Sequence, residues 1–232
     1  NDGSAMICTD IAAGELPVLN TLLASFGVNI DFSIVMEGDK ARLYDPDNPF
    51  FLAPVIQTHQ ITDPLIEGGL TVLMPYNMPV VELDIVKRNV DIVPLLQSTD
   101  KSWIRTELDN TSLLQQAADR SGPASVAVAI NKRKMEMSEP EGFRLIVAGN
   151  AGFVGPIPPF GTLKPNVDFL MNSLAWLNKR DDSISVRSKS LFTFPLRISG
   201  QMQLVYAAIF VILLPLGILI AGLVVWLRRR HL

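Results

Sequence analysis

The stretch from Leu204 to Trp226 reads LVYAAIFVILLPLGILIAGLVVW, carries no charge, and runs through Leu227 into Arg228, Arg229 and Arg230. At a rise of about 1.5 Å per residue, Tyr206 and Trp226 stand roughly 30 Å apart, the thickness of a bilayer's hydrocarbon core. The two aromatic rings therefore fall at the interfaces, and the arginines fall just beyond one of them. Sixteen residues between Leu204 and Leu227 are Leu, Ile, Val or Phe. At ~0.3 to 0.6 kcal/mol each they favour insertion by about 5 to 10 kcal/mol, an upper bound. A core helix of this length in a soluble protein would show a polar face, and this one has none. The pattern predicts a single transmembrane helix over 204–227, held by Tyr206 and Trp226, with a cytoplasmic basic tail over 228–232. Pro215 has no N–H to give to the carbonyl of Val211, which predicts a kink. Gly217 and Ala221 form a small-xxx-small face one turn apart, and such faces let helices approach closely. The segment reads as a packing helix as well as an anchor.

Upstream, residues 1–190 are long enough for a domain with a real core, and 191–203 read as a juxtamembrane linker. The 232 residues carry a formal net charge of -3, with scattered Lys and Arg, which argues against nucleic acid as a partner. The chain opens on Asn1-Asp2-Gly3-Ser4 and goes straight into a strand pattern, from which we expect it to be the C-terminal part of a longer protein. Residues 5–10 read as a short buried strand containing Cys8, a buried and inert thiol. Leu16, Leu19, Leu22, Leu23 and Phe26 recur at helical spacing, with Pro17 in the first turn and Gly27 as the stop. A second strand over 33–37 completes a βαβ pattern, which predicts an α/β domain with a parallel sheet.

Residues 38–54 read as a surface excursion. Thr62 or Asp63 can cap a short helix begun by Pro64. Strands are predicted over 70–74 and 80–86. Pro94 marks 91–96 as an edge strand or a strand end. A short helix is predicted near 113–118. Gly122-Pro123 is a turn before two strands, 124–130 and 143–148, that form a hairpin, and a Gly/Pro-rich loop follows over 149–164. From Asn166 a helix begins whose apolar face is Val167, Leu170, Met171, Leu174 and Leu177, with Trp176 beside it. Residues 183–190 read as a last strand or an extended linker.

Candidate chemistry is sparse. Gly149, Asn150 and Phe153 follow a strand directly, where α/β folds place ligand crevices. Pro156, Pro158 and Pro159 oppose the helix that a phosphate cradle needs, so a tight structural turn is the favoured reading. His59 has Asp63 and Glu67 nearby in sequence, but one His with two carboxylates is a weak metal pattern. Its plainer reading is a side chain tying a turn to the backbone. GxSxG, GxGxxG and the P-loop pattern are absent, and no cysteine pair exists. We expect no catalytic residue, no metal site and no cofactor.

Several blocks together carry a family resemblance. They are Leu19-Asn20-Thr21-Leu22-Leu23 through Phe26-Gly27-Val28, His59-Gln60-Ile61-Thr62, and Pro94-Leu95-Leu96 with Ser98. Gly122-Pro123 before Val126-Ala127-Val128-Ala129-Ile130 follows, then Arg144-Leu145-Ile146-Val147 with Gly149-Asn150 and Phe153. The last are Asn166, Asp168-Phe169-Leu170, Asn172 and Trp176-Leu177, then Leu213-Leu214-Pro215-Leu216 and Val225-Trp226-Leu227-Arg228-Arg229-Arg230. This order resembles the GldG-like auxiliary membrane component of bacterial ABC transport systems, related to gliding motility. The resemblance implies a flavodoxin- or glutamine-amidotransferase-like domain, truncated at its N-terminus and held outside the cytoplasmic membrane. It also implies an ABC permease and an ATPase subunit as partners beside the lipid bilayer. An amidotransferase nucleophile is not carried over, because Cys8 lies inside a strand. The alternative expectation is a membrane-tethered receptor for a small molecule or glycan near Asn150 and Phe153. A hydrolase working through His59 or an aspartate ranks below both.

Overall fold

The computed structural model describes residues 3–84, 88–133, 142–158, 161–179 and 205–230, so the stretch 183–190, the linker 191–203 and the end of the 80–86 strand lie outside the described residues. The chain divides into two compact units, Asn1–Ser190 and Leu191–Leu232. The first contains β1 (Ser4–Cys8), α1 (Pro17–Ala24), β2 (Val28–Ile30), β3 (Ile34–Met36), β4 (Phe51–Leu52), β5 (Val55–Ile56) and α2 (Asp63–Glu67). It continues with β6 (Met74–Pro75), β7 (Val80–Glu82), β8 (Val90–Gln97), β9 (Trp103–Arg105), β10 (Arg120–Ser121), β11 (Ser125–Lys132), β12 (Phe143–Ala148) and α3 (Lys164–Leu177). Among its described residues the second contains one helix, α4 (Val205–Arg230), with a stretch of mean hydropathy 3.0.

The main sheet has five strands in the order β1-β12-β11-β8-β5. Among the described strands only β1 and β12 run parallel; the other pairs are antiparallel. The unit is a mixed α/β domain with several sheets, not the parallel sheet that the βαβ pattern predicted. The strand after α1 does not return to β1. It is β2, which pairs with β7, while β3 pairs with β9 beside β10. Asn20 supplies a physical reason. Its carboxamide bonds both the N–H and the C=O of Ile30 at 2.8 Å, tying the end of β2 back to α1.

Alternation along β12 assigns the two faces of the sheet. Ile146 and Ala148 belong to one buried cluster, with Phe169, Trp176 and Leu177 of α3 and Leu65 of α2. Leu145 and Val147 belong to the other, with Leu23 of α1, Val28 and Ile30 of β2 and Val80 of β7. Helices therefore cover both faces, and each buried Leu or Ile contributes roughly 1.5–3 kcal/mol by leaving water. In β11, Val126 and Ala127 both join the α3 side, and the pairing with β8 shifts register on either side of Ala127. A bulge there restores the alternation, with Val128 and Ile130 on the α1 side.

Several elements differ from the sequence reading. β8 lies inside the sheet, between β11 and β5. Pro94 is tolerated because it sits opposite Val128, beside the register shift, where the ladder is already interrupted. β1, read as buried, is an edge strand and only half-buried. The 70–74 strand shrinks to β6. α3 turns Asn166, Phe169, Asn172, Ser173, Trp176 and Leu177 inward, while Met171 and Leu174 remain 42% and 39% exposed. Two asparagines can face the core because irregular backbone there offers them partners. Asn166 Oδ1 accepts from Leu73 N–H at 2.9 Å and its Nδ2 donates to Leu73 O and Phe153 O; Asn172 donates to Ile61 O.

The predicted helix at 113–118 is a loop. Arg105, at the end of β9, is 1% exposed, and its guanidinium takes the carbonyls of Ser112 and Leu114. Carbonyls turned onto a buried cation are unavailable to an i+4 ladder. Trp103, two residues earlier, packs with Ile34 and Met36 in a satellite cluster.

Candidate functional site

The loop after β12 begins where the backbones of two segments touch. Gly149 N–H donates to Val126 O, and Gly149 O accepts from Met78 N–H at 3.0 Å. A Cβ on Gly149 would stand 1.8 Å from Met78 O, so glycine is required by close approach. Asn150 is buried; its Nδ2 reaches Tyr76 O at 3.4 Å, and its Oδ1 has no hydrogen-bond partner. Phe153 is fully buried, with its ring centroid 5.7 Å from that of Phe169. Its carbonyl is taken by Asn166. Gly149 and Phe153 are thus committed to contacts within the protein, while Asn150 keeps one unpartnered oxygen.

His59 sits elsewhere, at the other end of α3. Its ring meets Trp176 edge-on, with centroids 5.3 Å apart, and its Nδ1 accepts from Ile61 N–H at 3.2 Å. The His59 backbone N–H donates to Asp63 Oδ1 at 3.1 Å. Burial holds the imidazole below its ordinary pKa; Asp63 pulls it up and Arg144 pushes it down. Arg144 lies over the other part of this group, its Cζ 4.9 Å from the Trp176 ring centroid and its Nη1 donating to Trp176 O at 2.6 Å. A neutral imidazole that accepts from its own turn is a structural tie. Phe153 contacts Phe169 and His59 contacts Trp176, roughly 10 Å apart along α3, so the structure does not bring the candidate residues to one place.

Cys8 is half-buried and unpaired, and burial pushes its thiol up to about 11, which keeps it protonated and unreactive at neutral pH. Among the described residues, no group of three or more His, Cys, Asp or Glu is arranged to hold a metal ion.

An open concavity lies where no sequence signal pointed. A groove of about 740 Å³ is lined by Phe32, Thr106, Glu107, Leu108, Asp109 and Asn110. Its loop is fastened from below by Arg105. Arg105 Nε and Nη2 grip the two carboxylate oxygens of Asp119 at 3.1 and 2.8 Å, and Asp119 also accepts from Gln116 N–H at 2.7 Å. The guanidinium holds the Asp119 carboxyl below its usual range. A lone arginine in a short apolar run, with its aspartate fourteen residues on, carries no periodicity that a sequence reading could detect.

In the second unit, α4 is long and apolar enough to cross a membrane once. Tyr206 lies near its start. Trp226 lies near its end with the Arg230 guanidinium 5.4 Å from its ring centroid, and Arg228 and Arg229 share the last turn. Ala208–Leu213 form a π-helical turn just before Pro215. A Cβ on Gly217 would meet nothing within 4 Å. Ala221 follows one turn on.

Compared with known proteins, the chain matches no family model and no curated protein sequence. Among solved structures it is similar to one described as "mmIFT52 N-terminal domain", at 10% identity and a TM-score of 0.43. That likeness covers 75% of this chain, which spans 63% of the length of the matched one.

Proposed function

We propose that the chain is a non-catalytic, membrane-anchored auxiliary subunit of a bacterial ABC transport complex. It contributes an extracytoplasmic α/β domain and a packing helix. The observation that carries this reading is α4, a 26-residue helix ending in three arginines and joined to a separate α/β unit. The ABC assignment is supported by the ordered resemblance to GldG-like components, which runs from Leu19 to Arg230. The flavodoxin- or amidotransferase-like assignment rests on the resemblance; the parallel β1–β12 pair and the placing of α1 and α3 on opposite faces agree with it, and the three antiparallel pairs of the same sheet do not. The partners are an ABC permease, an ATPase subunit and the bilayer, and Arg228 to Arg230 keep the C-terminus cytoplasmic. Purification from native membranes in mild detergent tests this. Co-purification of an ABC ATPase with its permease supports the reading; a preparation containing neither overturns it. A cysteine added at the C-terminus should resist a membrane-impermeant reagent in intact cells, and ready labelling would reverse the orientation.

The groove at Phe32 and 106–110 favours a second reading, a tethered receptor for a small molecule or glycan. It predicts that a ligand at about 100 times its Kd stabilises the isolated domain by about 2.7 kcal/mol. A flat melting temperature across a panel of sugars and small metabolites counts against it.

A further inference from the structure

Leu214 N–H donates to Ile209 O, five residues back, in the bond that closes the π-turn of α4. The next residue, Pro215, has no N–H. The carbonyl of Phe210 has therefore lost both of its donors along the helix. Leu214, four residues on, serves Ile209, and Pro215, five residues on, has nothing to give. The carbonyl of Val211 loses its four-residue donor for the same reason. Phe210 lies on the order of 6 Å inward of Tyr206, and its carbonyl points further along the axis toward Trp226. In hydrocarbon such a group must find a donor within protein, because no water is there to supply one.

We infer that α4 binds a different transmembrane helix that presents a hydroxyl or carboxamide donor to the carbonyls of Phe210 and Val211. This rests on the reading of α4 as a packing helix and names the chemistry of what it packs against. A second copy does not fit the requirement. Every side chain from Ala207 to Val225 is apolar, and Tyr206 lies one turn toward the interface in each copy. The donor must come from a helix other than α4, one that carries a side chain such as Ser, Thr, Asn or Gln. Short side chains of that kind reach a carbonyl only when the backbones come close. Gly217 and Ala221, about two and three turns further along α4, let another helix approach closely.

The test uses the full chain in native membranes, with a photo-crosslinking residue at Val224, on the side of Gly217 and Ala221, or at Leu219, on the opposite side. The expected adduct forms from Val224 and not from Leu219. It maps to a membrane helix other than α4 carrying Ser, Thr, Asn or Gln at the level of Phe210. Pro215→Leu restores the missing N–H and should lower adduct yield about three- to tenfold. Replacing the partner's donor with Ala or Val should lower it equally, and the two changes together should cost no more than either alone. Gly217→Leu, which blocks approach without touching the carbonyls, should also lower the yield. Adducts with a second copy, adducts from both faces alike, or a yield indifferent to Pro215→Leu would each overturn the inference. A donor-bearing partner from outside an ABC complex would leave it standing and refute the proposed function. ABC subunits that co-purify equally with Pro215→Leu would do the reverse.

Discussion

Two long loops of the α/β unit are fastened by buried side chains of opposite character. The 149–163 loop is held by neutral groups: the Asn166 carboxamide on Phe153 O, and the backbone contact of Gly149 with Met78. The 106–119 loop is held by an ion: Arg105 binds the carbonyls of Ser112 and Leu114 and needs Asp119 from the same loop to balance its charge. The neutral clamp lies inside the core, with Asn166 and Phe153 both fully buried. The ionic clamp sits under a loop whose outer side keeps Leu113 and Leu114 exposed and borders the groove. A carboxamide matches donors and acceptors without a charge to desolvate, so it can be buried singly. A guanidinium cannot, and it brings its carboxylate with it.

That contrast sets the sizes of the expected effects. Arg105→Ala leaves Asp119 as an uncompensated buried charge and should cost about 3–5 kcal/mol in urea unfolding. The double change Arg105→Met with Asp119→Leu should recover much of the loss; no recovery would mean that the carbonyl contacts, not the charge, hold the loop. Asn166→Ala strands the Leu73 N–H and two carbonyls, for a cost of about 2–4 kcal/mol. If it exceeds Arg105→Ala, the neutral clamp is the stronger and the contrast is inverted. Gly149→Ala forces apart the Gly149 and Met78 backbones and should cost about 1–3 kcal/mol; a neutral result would show that the contact yields.

Acid separates the loops further. The carboxyl of Asp119 is held below its ordinary value of 3.8 by Arg105, so its contribution is complete above that pH and is lost as pH falls through the depressed folded value. Amide protection should therefore fall first over 106–119, and equal loss over 149–163 would break the distinction. The smallest effect belongs to His59, which packs on the same helix as the neutral clamp. Its folded pKa is lowered from 6.5 by burial, so the unfolded chain binds the proton first as pH falls below 6.5. Stability should decline slightly between that value and the folded one, and His59→Gln should remove this slope. A slope unchanged in the variant would assign it to another group.

Part of this was legible in the sequence. Pro17 at the first turn of α1, Gly27 at its exit with φ of 82°, and the apolar runs of β11 and β12 are local preferences that the chain expresses wherever they lie. The groove and the two clamps were not legible, because each joins residues whose affinity for one another exists only after folding. The inward face of α3 was misread for the same reason. Asn166 and Asn172 count as polar in any periodicity, yet backbone groups at Leu73, Phe153 and Ile61 make them core residues.

The sequence by itself determined α4, because transfer of an uncharged helix into hydrocarbon depends on composition and length and needs no tertiary partner. It also determined the start and stop of α1 and the strands β11 and β12, which rest on φ preferences and apolar runs. Only the tertiary structure decided that β8 is internal, that β1 alone runs parallel to its neighbour, and that Arg105 is buried. Those outcomes depend on which backbone donors and acceptors remain unpaired once distant segments have packed, and that is a property of the assembled core rather than of any local stretch.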